Sequence, residues 1–123
     1  KATESIQLYD GNVAFAFAGE NCQEALVASV SDFILSLREV SFCVVYSRKN
    51  KGLKYSVRSI NGLDAGRITA KSLAGLGSGG GHQIMAGGFV PFTGTDSQFQ
   101  TLVETIRENF LQEVRLAKEN KNL

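Results

Sequence analysis

The feature that most constrains this fold is a glycine-rich segment that ends on the chain's single histidine. Seven of the thirteen glycines lie between residues 75 and 88, six of them in the runs Gly77-Ser78-Gly79-Gly80-Gly81-His82 and Ala86-Gly87-Gly88. Glycine loses more conformational entropy on folding than any other residue, so domains concentrate it where the backbone needs a positive φ or a close approach. Successive amides without Cβ atoms can also turn toward one anion, most often a phosphate. We therefore expect this segment to be a loop that carries function.

Hydrophobic patterning on either side of the loop predicts three helices and about five strands. Asp10-Gly11 fits a tight hairpin turn between two strands, and Asn21 with Glu24 fits the capping box of a first helix. The run 42–46 is continuously apolar, as in a strand buried on both faces, and 53–59 alternates apolar and polar residues. A short helix precedes the loop and a long helix ends the chain. The order β-β-α-β-β-α-loop-β-α predicts a single α/β domain, with helices packed on a mixed sheet.

Composition and charge narrow the classes of function. A net charge of +1 gives no support for an extended basic surface, so short or small anionic ligands are favoured over long duplexes. Two cysteines, Cys22 and Cys43, are too few for a disulfide framework and indicate reduced thiols in a cytoplasmic protein. No apolar run reaches the ~20 residues that span a bilayer, so we expect no membrane partner. The chain begins at Lys1 rather than at methionine, which suggests that all 123 residues are one domain of a longer protein.

Simpler fingerprints do not account for the glycine loop. A Walker loop continues with a Lys-Ser or Lys-Thr pair after its glycines, and this loop does not. A dinucleotide fingerprint follows a strand, whereas these glycines follow a predicted helix. Residue types alone leave the loop as either a structural turn or an anion site. His82 beside the glycines and Arg58 at the end of the strand 53–59 favour the anion site, because imidazole and guanidinium both bind phosphate.

Taken together, these motifs resemble a known family. Val57-Arg58-Ser59, then a helix, then Gly79-Gly80-Gly81-His82 and Ala86-Gly87-Gly88 are similar to the DHH-associated domain 1, the C-terminal domain of many DHH-family phosphoesterases. The glycine triplet followed by histidine is the most specific element, and the resemblance covers most of the chain. The sequence departs from the family at Gln83-Ile84-Met85, where a proline or basic residue and a second alanine are frequent.

The resemblance implies a role and a partner for this domain. Family members pair it with a catalytic DHH domain that holds manganese through aspartates and histidines, and no Asp-His-His motif occurs in this sequence. If the DHH domain carries out catalysis, as the resemblance implies, this chain has no catalytic or metal-binding residue. Its implied partners are the DHH domain and a nucleotide or short single-stranded nucleic acid. Six residues would bind that substrate: Arg58, Ser59, Gly79, Gly80, Gly81 and His82. The glycines would line a phosphate cradle, His82 would contact a phosphate and Arg58 would clamp one. A homodimer is left open.

Two other functions are kept beside this interpretation. The similar domain of alanyl-tRNA synthetases suggests a non-catalytic nucleic-acid-binding or assembly module, against which the near-neutral charge argues mildly. A self-contained enzyme would use His82 as general base, but no spacing in the sequence supplies an orienting partner or a nucleophile. We therefore expect the chain alone to be inactive. It would be the binding half of a nanoRNase, a bisphosphonucleotide phosphatase or a cyclic-dinucleotide phosphodiesterase.

Overall fold

A six-stranded mixed sheet with three helices makes up the chain, whose computed structural model describes residues 6–20, 24–37 and 39–121. The strands are β1 (Gln7–Tyr9), β2 (Val13–Glu20), β3 (Phe42–Lys49), β4 (Gly52–Ser59), β5 (Ser78–Gly81) and β6 (Met85–Pro91), and the helices are α1 (Glu24–Leu35), α2 (Ala65–Leu73) and α3 (Asp96–Lys121). The sheet order is β1-β2-β3-β4-β6-β5. Only β2 and β3 run parallel, joined by the crossover through α1, as a parallel pair requires.

The mixed α/β sheet predicted from the sequence is confirmed, with six strands instead of about five. The additional strand is β5, so the prediction of a loop over the glycine triplet was wrong. Gly79, Gly80 and Gly81 pair with Gly88, Gly87 and Ala86 of β6. A strand built from glycine has no side-chain alternation to reveal it, although its backbone groups pair as well as any others.

The first hairpin forms as its turn residues predict. Asp10 has a φ of 54° and Gly11 a φ of 83°, the pair of positive values that a type I′ turn demands between β1 and β2. The run 42–46 also fulfils its prediction, since Phe42 through Val45 are fully buried within β3. The capping-box residue Asn21 lies outside the described residues, and so does Cys22.

Two apolar cores of unequal size lie on the two faces of the sheet. The larger core fills the space under α2 and α3, where Leu53, Tyr55 and Val57 of β4 meet the apolar side of α3. The smaller core lies under α1 and includes Cys43 and Val45 of β3. Since α1 packs against β2, β3 and part of β4, it leaves its side of β5 and β6 uncovered among the described residues. None of the described helices is long and apolar enough to cross a membrane.

Candidate functional site

Close packing between α2 and the β5–β6 hairpin accounts for two of the clustered glycines, Gly79 and Gly88, and for Gly66 of α2. A Cβ atom on Gly66 of α2 would overlap the backbone carbonyl of Gly81, and one on Gly88 would overlap the side chain of Leu73. A Cβ on Gly79 would come within 2.9 Å of Leu73 Cδ1. These glycines therefore allow the helix to lie directly on the hairpin, which is a structural role.

The turn of this hairpin caps the first turn of α2. The amide of Gly66 donates to the carbonyl oxygen of His82 at 2.9 Å, and the amide of Ala65 donates to that of Gln83 at 2.8 Å. The amide that follows in the helix is bound by the side chain of Asp64 at 3.1 Å. Amides at a helix start attract anions when they lack partners. Here these amides already donate hydrogen bonds to protein oxygens, so an anion site at this position has to be formed by side chains.

The side of β6 and β5 that α1 leaves uncovered, together with the adjoining side of β4, carries several of the predicted site residues. Side chains alternate along a strand, and the core positions of β4 and β6 fix which residues point to the other side. We call this surface the open face; its members are Lys54, Ser56, Arg58, Ser78, Gly80, Met85, Gly87 and Phe89. The strand register arranges them in rows: Ser56 pairs with Gly87 and Gly87 with Gly80, while Lys54 pairs with Phe89.

Arg58 lies in the row at one end of the open face. Its side chain is only 16% exposed, and Nη1 donates to Oδ1 of Asp32 on α1 at 2.9 Å. Its Nε is buried without a hydrogen-bond partner among the described residues. The register partner Cys43 is buried, and burial raises the pKa of its thiol to about 12, so this neighbour is neutral. Arg58 is thus a largely desolvated cation that one exposed carboxylate only partly satisfies.

His82 lies at the other side of the same row. Its backbone amide donates to the carbonyl oxygen of Met85 at 2.7 Å, and Met85 pairs with Arg58 on the adjacent strand. The histidine begins the turn between β5 and β6, and its side chain is exposed. With strands about 4.8 Å apart, the Cα atoms of Arg58 and His82 are about 10 Å from each other. The two residues therefore flank Met85, with the guanidinium of Arg58 bound to Asp32 of α1.

The structure does not bring the remaining predicted residues to this surface. Ser59 is 1% exposed on the opposite side of the sheet, where its hydroxyl donates to Oδ1 of Asn61 at 2.8 Å. Gly79 and Gly81 face α2 and the backbone of β6. Of the six residues predicted to bind substrate, Arg58 and Gly80 therefore belong to the open face, and His82 lies at its edge in the turn that follows β5.

The site predicted from the sequence left out other members of the open face. The alternation of 53–59 already places Lys54 and Ser56 beside Arg58, so that signal was present. Asp32 could not be found in the same way, because its contact with Arg58 spans 26 positions and depends on how α1 docks. Within residues 6–20, 24–37 and 39–121, no three histidine, cysteine or acidic side chains are grouped closely enough to hold a metal ion.

Comparison with known proteins gives one family and several structures of the same fold. The family model of the DHHA1 domain matches residues 10–112. The uncharacterized protein MJ1633 of Methanocaldococcus jannaschii is 25% identical over 128 residues, which cover 98% of this chain and 26% of that protein. The chain thus spans about a quarter of the length of this relative.

Three solved structures share the fold at low sequence identity. An exopolyphosphatase-related protein from Bacteroides fragilis superposes with a TM-score of 0.69 at 21% identity, over 95% of this chain and 34% of that one. The C-Ala domain of Aquifex aeolicus alanyl-tRNA synthetase has a TM-score of 0.59 at 15% identity, over 83% of this chain and 96% of that domain. The pGpG-specific phosphodiesterase PggH from Vibrio cholerae has a TM-score of 0.52 at 12% identity, over 87% of this chain and 36% of that one.

Proposed function

The chain belongs to the DHHA1 domain family, and from that premise we propose that it is the substrate-binding domain of a DHH-family phosphoesterase acting on short oligonucleotides or nucleotide phosphates. In this role the open face binds a phosphate of the substrate through Arg58 and His82. One observation carries the proposal: a largely buried, incompletely partnered guanidinium and an exposed imidazole flank Met85 in a single row at the margin of the open face. Ser59 and the backbone of Gly79 and Gly81 have no part in it.

Desolvation makes Arg58 the stronger of the two phosphate ligands. A guanidinium that is 16% exposed has lost most of its hydration, and the carboxylate of Asp32 compensates for only part of that loss. A phosphate oxygen at the remaining donors restores hydrogen bonds to a charged group, which are the strong ones. His82 adds a donor, and a positive charge when protonated, at the exposed side of the row.

Hydrolysis is assigned to another part of the full-length protein. Among the described residues no cluster of potential metal ligands is present, and hydrolysis of phosphoesters by metal ions needs such a cluster. Manganese held by a DHH domain would supply that chemistry. The share of the B. fragilis and V. cholerae chains that is covered, 34% and 36%, agrees with a larger parent protein. The buried free thiol of Cys43 agrees with a cytoplasmic location.

Titration with AMP, followed by amide shifts in NMR spectra, tests the proposed function. We expect the amides of Gly80 and His82 to shift at millimolar AMP. We expect Arg58→Gln to weaken the affinity for AMP by about 10-fold or more, which is the scale of one hydrogen bond to a charged group. The matched control is Arg48→Gln, since Arg48 also pairs with an aspartate but lies over the ring of Phe99 on the α3 side. Unshifted amides from Gly80 to His82 at millimolar AMP would rule out the site.

A second function has one specific observation in its favour. The C-Ala domain is covered over 96% of its length, so the fold accounts for nearly all of that synthetase domain. We therefore keep a non-catalytic nucleic-acid-binding or assembly module as the alternative. A gel-shift comparison separates the two: this module would bind a tRNA more tightly than a dinucleotide of the same terminal sequence, whereas the phosphoesterase domain would bind both alike.

A further inference from the structure

We propose that a small cavity under α3 is a binding site for one water molecule, which accepts a hydrogen bond from Arg107 and links this helix to the tyrosines of the sheet. The cavity lies on the α3 side of the sheet, opposite the open face. The inference therefore goes beyond the proposed function and does not depend on it.

Arg107 of α3 has a buried nitrogen that needs an acceptor. Its Nε makes no hydrogen bond to any residue within 6–20, 24–37 and 39–121. The guanidinium lies 5.8 Å from the centre of the Tyr9 ring, whose face attracts the positive charge but offers no oxygen to this N–H. A buried donor without an acceptor is costly, and native structures nearly always supply one from the protein or from ordered water. Because none of the described residues supplies it, ordered water is the acceptor that remains.

The cavity beside Arg107 has the size of one water molecule. Arg107 and Val103 line it from α3, and Tyr46 and Tyr55 line it from β3 and β4. It leaves about 10 Å³ for a water-sized sphere, and one water needs about 10–15 Å³. A nucleotide, a phosphate or another polyatomic ligand is too large for this space. Size therefore restricts the occupant to water or a monatomic ion.

The two tyrosines in the wall favour water over an ion. Tyr55 is 2% exposed, and its ring stacks with those of Tyr46 and Phe110 at centroid distances of 5.6 and 5.9 Å. Burial raises the pKa of Tyr46 and of Tyr55, and the charge of Arg107 opposes that rise, as expected for a guanidinium near their oxygens. A neutral phenol both donates and accepts hydrogen bonds. Water matches such groups because it also does both, whereas a halide only accepts.

Gln7 completes the wall at the edge of the sheet. Its side-chain oxygen accepts from the hydroxyl of Tyr9 at 2.9 Å, and its amide nitrogen is a further donor. A buried water makes about three hydrogen bonds on average. Arg107, the two phenols and Gln7 offer enough groups for that number.

A high-resolution crystal structure of the chain tests this inference directly. We expect ordered electron density for one water within about 2.7–3.2 Å of Arg107 Nε. No density at that distance, or an ion in its place, would overturn the proposal. Stability measured in sodium chloride and in sodium gluconate at one ionic strength checks the second case, since a halide site would make the protein more stable in chloride.

Val103→Ile tests the site in solution, because it adds one methylene to the cavity wall. Displacing a water from Arg107 leaves Nε without an acceptor, so we expect the unfolding equilibrium constant, measured in urea, to increase about 5- to 30-fold. In a dry cavity the methylene would bury more apolar surface, and the constant would decrease.

The matched control is Val103→Ile in the Arg107→Met variant, which has no buried N–H to satisfy. There we expect the added methylene to change the constant by less than about twofold. An equal increase in both backgrounds would mean that the methylene crowds the core and displaces no water, which would overturn the proposal. The titration with AMP does not involve this cavity, so neither result decides the other.

Discussion

The guanidinium of Arg58 lies 2.9 Å from the carboxylate of Asp32, and this ion pair joins β4 to α1 at the margin of the open face. The two partners differ in burial, with side chains that are 16% and 68% exposed. Arg58 therefore needs the contact to compensate for its lost hydration, whereas the carboxylate of Asp32 retains most of its water. Removing the carboxylate leaves a mostly desolvated charge whose Nε already lacks a partner among the described residues.

We predict that Asp32→Asn lowers the free energy of unfolding by about 1–3 kcal/mol, the cost of leaving a largely buried charge without its counter-ion. Urea unfolding monitored by circular dichroism measures it. The control is Asp96→Asn, which breaks the 3.0 Å pair with Arg48, whose side chains are 25% and 95% exposed. We expect that variant to lose less than about 1 kcal/mol. Equal losses in the two variants would show that the burial of Arg58 does not increase the contribution of its ion pair to stability.

A second prediction concerns Ser59, which the family resemblance assigns to the phosphate site. Its hydroxyl donates to Asn61 at 2.8 Å, and the amide of Asn61 donates to Ser41 Oγ at 3.2 Å, so it takes part in a structural network. Ser59→Ala should cost about 1 kcal/mol of stability and change the affinity for AMP by less than about twofold. Calorimetry beside Arg58→Gln provides the comparison. A loss of affinity as large as that of Arg58→Gln would mean that Ser59 does reach the ligand.

Local signals in the sequence were sufficient for much of the fold. Asp10-Gly11 specifies its own turn by the φ values that the two residues tolerate, and the run 53–59 shows its buried side by alternation. The family assignment also followed from local motifs, because Gly79-Gly80-Gly81-His82 is contiguous in the sequence. Each of these features is encoded within a few residues.

The features that the sequence did not reveal depend on distant contacts. Whether a glycine in β5 serves packing or leaves space is decided by α2, since Gly81 lies against Gly66 while Gly80 faces open space. The strand itself escaped detection because it lacks the side chains that produce a pattern. The ion pair of Arg58 with Asp32 depends in the same way on the docking of α1.

The contact between Gly66 and Gly81 predicts that replacing Gly66 with alanine destabilises the protein, the opposite of the usual effect in a helix. In an ordinary helix position, Gly→Ala stabilises by about 0.5–1 kcal/mol because alanine has less backbone entropy to lose. Here the added methyl would overlap the carbonyl of Gly81, so Gly66→Ala should instead destabilise by about 1–3 kcal/mol. Urea denaturation of both this variant and Ala70→Gly, an exposed position on the same helix, gives the comparison. A more stable Gly66→Ala would contradict the close packing of α2 on β5.

The last prediction uses the buried thiol of Cys43. Burial raises its pKa to about 12, whereas the same thiol in the unfolded chain has a pKa near 9.0. Between these values the unfolded chain loses the proton and the folded chain keeps it, so the stability that the neutral thiol contributes is lost as pH rises. The slope for one such group is about 1.4 kcal/mol per pH unit.

We therefore expect the stability difference between the wild-type chain and Cys43→Ala to be constant below about pH 8.5 and to shrink steadily above it. Urea unfolding at several pH values between 7 and about 10.5 provides the measurement. Burial also raises the pKa of Tyr46 and of Tyr55, but these side chains are present in both proteins, so their contribution cancels in the difference. Parallel stability curves for the two proteins across this range would mean that the thiol is not held neutral in the core.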